Sequence, residues 1–278
     1  MHNSPSVSIV VPAFNAEKTL SETLESIRGQ TFQSWECLVV DDGSTDDTAG
    51  IANSFCRLDN RFRLVTKQNG GTASAYNAGV RLAQSQFISI CSADDTLMSE
   101  HVSGLYESAV ARSEYSIFFS NGYYLRLDGS RTVVYKSEQW ESEREFSFEE
   151  MINDCLFGVG ALYHRTLFER LDGYREDIYG EDWDFWLRGM MQGARVLYIP
   201  QTTAVHRRSE MNKSADLVQV YKSDIRILRS LLRQNQLNDS LKSVTKRSIR
   251  KRRKFLLKEI VKDTFPPLSK LKVAINGG

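Results

Sequence analysis

Residues 7–44 read VSIVVPAFNAEKTLSETLESIRGQTFQSWECLVVDDGS, and this stretch decides the fold. Val7 to Val11 is a β-branched run ended by Pro12, the pattern of a strand buried on both faces. Leu20, Leu24 and Ile27 recur at i, i+4 and i+7, which is one face of a helix. Trp35 to Val40 is a second apolar run, and Asp41-Asp42-Gly43-Ser44 stops it. Strand, helix and strand in this order predict a βαβ unit with parallel strands.

The pattern continues outward. Thr45 to Phe55 reads as a helix with Ser44 or Thr45 as its N-cap. Phe62 to Thr66 is a third strand, and Thr72 to Ala83 a helix after a Gly70-Gly71 turn. Phe87 to Cys91 is a fourth strand, followed by Ser92-Ala93-Asp94-Asp95 and a helix from about Ser99. This is a nucleotide-binding type of α/β half, in which ligands sit beyond the carboxyl ends of the strands. Three of the four strand ends carry unusual polar residues: Asn15, Asp41-Asp42 and Asp94-Asp95.

The second half changes character. Ser116 to Asn121 and Tyr123 to Lys136 alternate about an Asp128-Gly129 turn signal, which predicts a hairpin. Phe146 to Ile152 reads as helix, and Asp182 to Met191 as a short aromatic-rich helix. Arg195 to Ile199 is a last strand closed by Pro200, and 215–262 is helical with few breakers.

Composition sets the frame. The chain has 278 residues, 41% of them hydrophobic and 26% charged, which is globular and neither disordered, collagenous nor rod-like. The net charge of +1 argues against a dedicated nucleic-acid binder, yet it hides an asymmetry. Ten of the 36 bases fall in 242–262 beside a single acid, leaving 26 bases against 34 acids elsewhere. The four cysteines show no C-x-x-C spacing, so neither a zinc site nor a disulfide framework is expected, and a reducing compartment fits. The N-terminus has no secretory pattern, and no run reaches the ~20 apolar residues of a membrane span.

Three clusters carry candidate chemistry. Asp94 and Asp95 repel each other at the end of a buried strand. A divalent cation, Mg2+ or Mn2+, is the usual remedy, with a helix cap as the competing role. Asp41-Asp42-Gly43-Ser44 is a turn and cap by residue type. Beside Phe14 and Asn15 it also reads as a base site, where a carboxylate accepts the N3–H of uracil or thymine and a ring stacks. Gly180-Glu181-Asp182-Trp183-Asp184 places three acids at a helix start, favoured by the helix dipole or serving as a general base.

These segments together resemble family 2 glycosyltransferases. Residues 7–48 are similar to the family's P-x-[FY]-N and D-D-G-S-x-D-x-[ST] opening. Gly70-Gly71 through Asn77-Ala78-Gly79 resembles its next segment, Ser92-Ala93-Asp94-Asp95 its D-x-D-D motif, and Gly180-Glu181-Asp182 with Trp186-Leu187-Arg188 its catalytic-base segment. The resemblance covers roughly 6–210. It implies a GT-A fold, a mixed α/β sheet flanked by helices, to which the helical pattern of 215–262 adds a C-terminal helical extension. The implied organisation is 1–212 for the transferase (about 1–100 nucleotide-binding, about 101–212 acceptor-binding) and 213–278 for the basic extension. It implies inverting transfer from a nucleotide-sugar, UDP-sugar first, to a hydroxyl of a carbohydrate or lipid-linked acceptor in polysaccharide or cell-envelope synthesis.

Residue by residue, the resemblance assigns donor binding to Pro12, Ala13, Phe14, Asn15, Asp41, Asp42, Asn77 and Asp94, with Arg207 and Arg208 for the diphosphate. It assigns the metal to Asp95 directly, with Asp94 and His206, the catalytic position to Asp182 as base with Glu181 beside it, and the acceptor to Glu181 and Trp183. Two positions depart: Ser92 replaces the first motif acid, and Tyr76 stands where the family has Arg. They keep open a non-catalytic relative that only binds nucleotide-sugar, while the intact pairs Asp94-Asp95 and Glu181-Asp182 weigh against it. The segment 242–262 reads as a basic amphipathic helix, resting on an anionic membrane or packed on the acidic body. The expected location is cytoplasmic, peripheral at the inner membrane face, with no nucleic-acid partner.

Overall fold

The computed structural model describes residues 4–153, 160–207, 215–234 and 236–264. Four strands form the first half: β1 (Val7–Ala13), β2 (Trp35–Asp41), β3 (Phe62–Thr66) and β4 (Phe87–Ile90). β1 pairs in parallel with both β2 and β4, and β2 with β3. Every residue of β2 is buried, which is why the run lacks polar alternation. Helices α1 (Leu20–Arg28), α2 (Thr48–Leu58) and α3 (Thr72–Leu82) are the crossovers. α1 buries Leu20, Leu24 and Ile27, the residues its periodicity selects.

The sheet then turns mixed. Its order is β3-β2-β1-β4-β9-β6-β10-β5, where β5 is Thr96–Leu97, β6 Ile117–Leu125, β9 Leu162–His164 and β10 Val196–Arg207. β9 runs antiparallel to β4 and β6, and β6 parallel to β10. The expected hairpin is β6 against β7 (Arg131–Val133), turning at Asp128-Gly129.

Two expectations are corrected. Pro200 does not close the last strand, because β10 continues to Arg207 with register shifts between Ile199, Thr202 and Ala204. A bulge leaves residues unpaired, so a proline is tolerated there. The segment at 146–152 is also not one helix: β8 (Arg144–Phe146) pairs with β10 before α5 (Phe148–Asn153) begins.

The extension forms α8 (Leu217–Arg233) and α9 (Asp239–Thr264) after α4 (His101–Ala111), α6 (Arg165–Arg170) and α7 (Glu181–Met191). Ile225, Leu228, Leu231, Val244 and Ile249 join the same apolar cluster as Met151, Trp183 and Leu187. The helical extension therefore packs directly behind α7. Among the described residues no helix is long and apolar enough to cross a membrane.

Candidate active site

The carboxyl ends of β1, β2 and β4 open on one edge, because the strands are parallel. The loops there are latched together. Asn15 sits in the left-handed region at φ 48°, which Asn tolerates better than most residues. Its N–H donates to Ser44 Oγ at 3.0 Å, and its Oδ1 accepts from the Thr45 N–H at 2.9 Å. Ser44 and Thr45 thus tie two loops together, while the helix they were expected to cap starts later, at Thr48. Asn15 thereby acts as a brace between loops. Ala13 is buried and contributes its carbonyl to the Asp42 N–H, and Pro12 is half-buried beneath it. Phe14 is 51% exposed, an apolar ring left facing outward beside these loops.

The two neighbouring acids separate. Asp42 accepts from Lys67 Nζ at 2.6 Å, from the Gly71 N–H at 2.7 Å and from the Gly70 N–H at 3.0 Å. Gly71, at φ +85°, has the backbone freedom to aim its N–H this way. Both Asp42 oxygens are spent on folding the 67–71 loop. Asp41 accepts only the Ser44 N–H on Oδ1, at 3.0 Å, so Oδ2 has no donor among the described residues. The expectation that Asp42 contacts the base therefore meets a committed carboxylate, and the available one is Asp41.

Asp94 and Asp95 divide in the same way. The Asp95 side chain is 1% exposed. His206 Nδ1 lies 3.1 Å from its Oδ2, and the Arg207 N–H donates to Oδ1 at 2.9 Å. Thr23 Oγ1 holds the turn by donating to the carbonyls of Ala93 and Asp95. Asp95 is thus a keystone joining α1, the β4 end and β10. Asp94 is half-buried, and burial followed by the adjacent Asp95 charge raises its carboxyl to about 6, against the pull of His206 and Arg207. The Arg207 guanidinium is held by Glu22 and the Asp94 carbonyl beside this pair, and Arg208 lies outside the described residues.

Among the described residues no group of three or more acids, His or Cys forms a closed metal cage. One or two protein carboxylates are what Mg2+ or Mn2+ takes when substrate phosphates supply other ligands. Asp94, whose charge is unfavourable alone, fits that role. Asp95, chosen from the sequence as the direct ligand, has both oxygens engaged.

At the far side Asp182 stands in the first turn of α7. Its Oδ1 accepts the Trp183 N–H at 2.7 Å, and Oδ2 accepts nothing among the described residues. Glu181 beside it is buried. Tyr76, on α3, is under the influence of both this pair and Asp94-Asp95. Its ring packs on Tyr174 at 5.0 Å, and Tyr174 stacks on Phe185 of α7 at 4.2 Å. Burial, then the charges of Glu181, Asp182, Asp95 and Asp94, push the Tyr76 phenol well up, so both acid pairs act on this one side chain.

Two of the assigned side chains are engaged within the fold itself. Asn77 was expected to bind donor, but its amide is consumed: Nδ2 donates to the Tyr174 carbonyl at 2.9 Å and to Glu176 at 3.0 Å, and Oδ1 accepts the Tyr174 N–H at 2.8 Å. It fixes the 174–176 loop to α3. Trp183 was expected to meet acceptor, but it is 2% exposed, donates Nε1–H to the Met151 carbonyl at 2.8 Å, and lies under the Arg252 guanidinium at 4.5 Å. It anchors α7 from behind.

Sequence reasoning passed over Lys67, Thr23 and Arg252, and it named Arg188 only within a motif. Arg188 holds the same loop region, donating to Asp184 and to the carbonyls of Leu171 and Gly173.

His101 adds a pH dependence. It is buried between Gly160 and Thr203, with Nε2 2.9 Å from the Gly160 carbonyl and Nδ1 2.9 Å from Thr203 Oγ1. A carbonyl only accepts, so Nε2 carries the proton and Nδ1 accepts from the hydroxyl. Burial lowers its pKa from 6.5 to about 4. The unfolded chain therefore binds the extra proton between these values. Stability is complete above 6.5 and falls as pH drops toward 4, by up to about 3 kcal/mol at 1.36 kcal/mol per unit. Asp94, raised to about 6, works in the opposite sense over part of this range. The difference between wild type and His101→Gln in urea melts isolates the histidine: the gap between them should narrow from pH 7 to pH 4.5. A constant gap contradicts the buried neutral imidazole.

A parallel-to-mixed sheet with paired acids on its carboxyl edge defines the GT-A class of nucleotide-sugar transferases. The comparisons agree. The glycosyl transferase family 2 model matches residues 8–172, and the chain belongs to that family and is a glycosyltransferase. It is 33% identical over 243 residues to the glycosyltransferase GlyG of Streptococcus pneumoniae, covering 79% of each chain. It is 25% identical over 206 residues to the GalNAc(5)-diNAcBac-PP-undecaprenol beta-1,3-glucosyltransferase of Campylobacter jejuni, covering 73% of this chain and 65% of that one. The chain spans only 62% of Bacillus subtilis EpsJ and 30% of Streptococcus pneumoniae GlyA. Among solved structures, TarS 1–349 of S. aureus in complex with UDP-GlcNAc superposes with a TM-score of 0.72 at 19% identity, covering 96% of this chain and 77% of that one.

Proposed function

We propose that this glycosyltransferase moves a sugar from a UDP-sugar to a hydroxyl of a glycan or lipid-linked acceptor, with inversion. The observation that carries this is that two acid pairs, Asp94-Asp95 and Glu181-Asp182, act on the same Tyr76 side chain, with Asp95 engaged by His206 and Arg207 and Asp182 Oδ2 without a donor among the described residues. The names of similar proteins support the donor and acceptor classes. TarS is described with UDP and UDP-GlcNAc, a Pyrobaculum calidifontis mannosyltransferase with GDP-Man and Mn2+, and the Campylobacter relative as acting on an undecaprenol-linked glycan.

Phe14 offers a face for the base, and Asp41 Oδ2 accepts the N3–H of uracil. Asp182 Oδ2 takes the proton of the acceptor hydroxyl as the acceptor oxygen attacks the anomeric carbon from the side opposite the nucleotide. The bond between the anomeric carbon and the diphosphate oxygen breaks, and its electron pair leaves with the nucleotide. One base suffices, because no covalent enzyme intermediate forms. Asp94 would hold the divalent cation, Mn2+ or Mg2+, which neutralises charge on the leaving diphosphate. Asp95 and the Arg207 backbone keep Asp94 in place.

The direct test is release of UDP from a panel of UDP-sugars with Mn2+ present. Turnover of at least one UDP-sugar, with GDP- and CDP-sugars inert, is expected. Exclusive turnover of a GDP-sugar would overturn the assignment of the base site. A second readout needs no turnover: Mn2+ with UDP should raise the melting temperature of the wild type and leave Asp94→Asn unmoved. An equal rise in both would remove Asp94 from the metal site.

A further inference from the structure

The basic run of α9 is divided by its helical phase. Val244, Thr245, Ser248, Ile249 and Arg252 are buried, and they recur at i, i+4 and i+8 on one side. Arg252, at the centre of that side, donates to Asp224 at 2.8 Å and to the Asn153 carbonyl at 3.2 Å, besides covering Trp183. This side is fully used in packing on α8, α5 and α7.

The opposite side carries two adjacent ridges. Lys246, Arg250, Lys254 and Lys258 stand four residues apart and are exposed. Arg253, Leu257 and Val261 form the next ridge at the same spacing, with Leu257 63% and Val261 57% exposed. None of the five bases Lys246, Arg250, Arg253, Lys254 and Lys258 forms an ion pair among the described residues. By contrast, Arg247 at the margin pairs with Glu149 and Lys242 with Asp239. A protein with an acid excess elsewhere thus concentrates unpaired cations and bare aliphatic side chains on one helix face.

We infer that this α9 face docks on an anionic lipid bilayer. The pattern of apolar side chains beside a basic ridge suits a helix lying in the headgroup region, where aliphatic groups enter the acyl boundary and ammonium groups meet lipid phosphates. An acidic partner protein has no need of the bare Leu257 and Val261. A single-stranded nucleic acid would want several exposed rings to stack on, and this segment has one, Phe255, 38% exposed with a face on Tyr221 at 5.7 Å. The acid excess of the body is repelled by the same surface, so the helix also sets the orientation of the molecule. Because Arg252 holds Trp183 from the back of this helix, the docked face is one buried side chain from α7 and Asp182. A lipid-linked acceptor would then be met at its own surface; that extension rests on the proposed function, and the docking does not.

The test is co-sedimentation of the full chain with vesicles of equal parts phosphatidylglycerol and phosphatidylcholine, against phosphatidylcholine alone. The bound fraction should be at least about tenfold larger on the anionic vesicles and should fall steeply with salt. Lys254→Glu with Lys258→Glu should bring it down to the phosphatidylcholine level. Leu257→Ser with Val261→Ser should reduce it several-fold. Both double variants should keep the wild-type melting temperature and the wild-type rate of UDP release, because all four side chains are exposed and lie on the face of α9 opposite the one packed on α7. Equal binding to both vesicle types, binding unaffected by either variant, or tighter binding to an oligonucleotide than to the vesicles would each overturn the inference.

Discussion

Asp182→Asn is expected to bind UDP with wild-type affinity and to release UDP from donor between about 10²- and 10⁴-fold more slowly, the range a positioned general base contributes. The substitution is nearly isosteric. Asn keeps an oxygen for the Trp183 N–H, the bond that Asp182 Oδ1 accepts at 2.7 Å, so the start of α7 stays intact. What is lost is a carboxylate oxygen, Oδ2, that has no donor among the described residues. The measurement pairs calorimetric titration of UDP with a steady-state assay of UDP release. Turnover within a few-fold of wild type would remove Asp182 as the base. Loss of UDP affinity would instead show a disturbed cleft, and Glu181→Gln would then need the same two measurements.

Asp41 and Asp42 should respond to substitution in opposite ways. Asp42→Ala removes a buried carboxylate that gathers Lys67 and the N–H groups of Gly70 and Gly71, and it leaves these donors unpaired. Breaking a buried, hydrogen-bonded charge costs roughly 3–5 kcal/mol, so the variant should melt far below the wild type. Asp41→Asn keeps the oxygen that receives the Ser44 N–H and should melt close to the wild type. It should nevertheless lose UDP affinity by about tenfold or more, because an amide N–H₂ facing the uracil N3–H opposes two donors. Urea melts and UDP titration on both variants decide the matter. A stable Asp42→Ala that loses UDP, beside an Asp41→Asn that binds normally, would restore Asp42 to the base site.

The first half of the fold was legible because parallel strands covered on both faces leave continuous apolar runs, and helices with one buried face leave a period. Val7 to Val11, Trp35 to Val40 and the Leu20, Leu24, Ile27 face all fell where the sequence put them. The short strands were not legible. β5 has two residues and β8 three, too few to carry an alternation, and their existence depends on β10 as a partner. Pro200 read as a stop because its tolerance comes from a bulge that only the pairing with β6 creates.

The clustering of acids at the strand and helix ends was legible, but not which of them the fold itself engages. Adjacent acids look equivalent in a sequence, and whether one is spent depends on distant donors: Lys67 for Asp42, His206 and Arg207 for Asp95. Asn77 looked like a substrate ligand because nothing near it reveals Tyr174, 97 residues away. Arg252 looked like one base among ten. Its phase did carry a signal, since it falls four residues after Ser248 and eight after Val244 on the apolar side of the helix.

The account stands on one claim: the carboxyl edge of β1, β2 and β4 binds a nucleoside diphosphate through a divalent cation. Calorimetric titration of UDP into the full chain, with and without Mn2+, tests it most directly. The account predicts saturable binding with Mn2+ that weakens at least about tenfold without it, the coupling expected when carboxylate and diphosphate share a cation. No binding of UDP, dTDP, GDP or CDP in the presence of Mn2+ would contradict it.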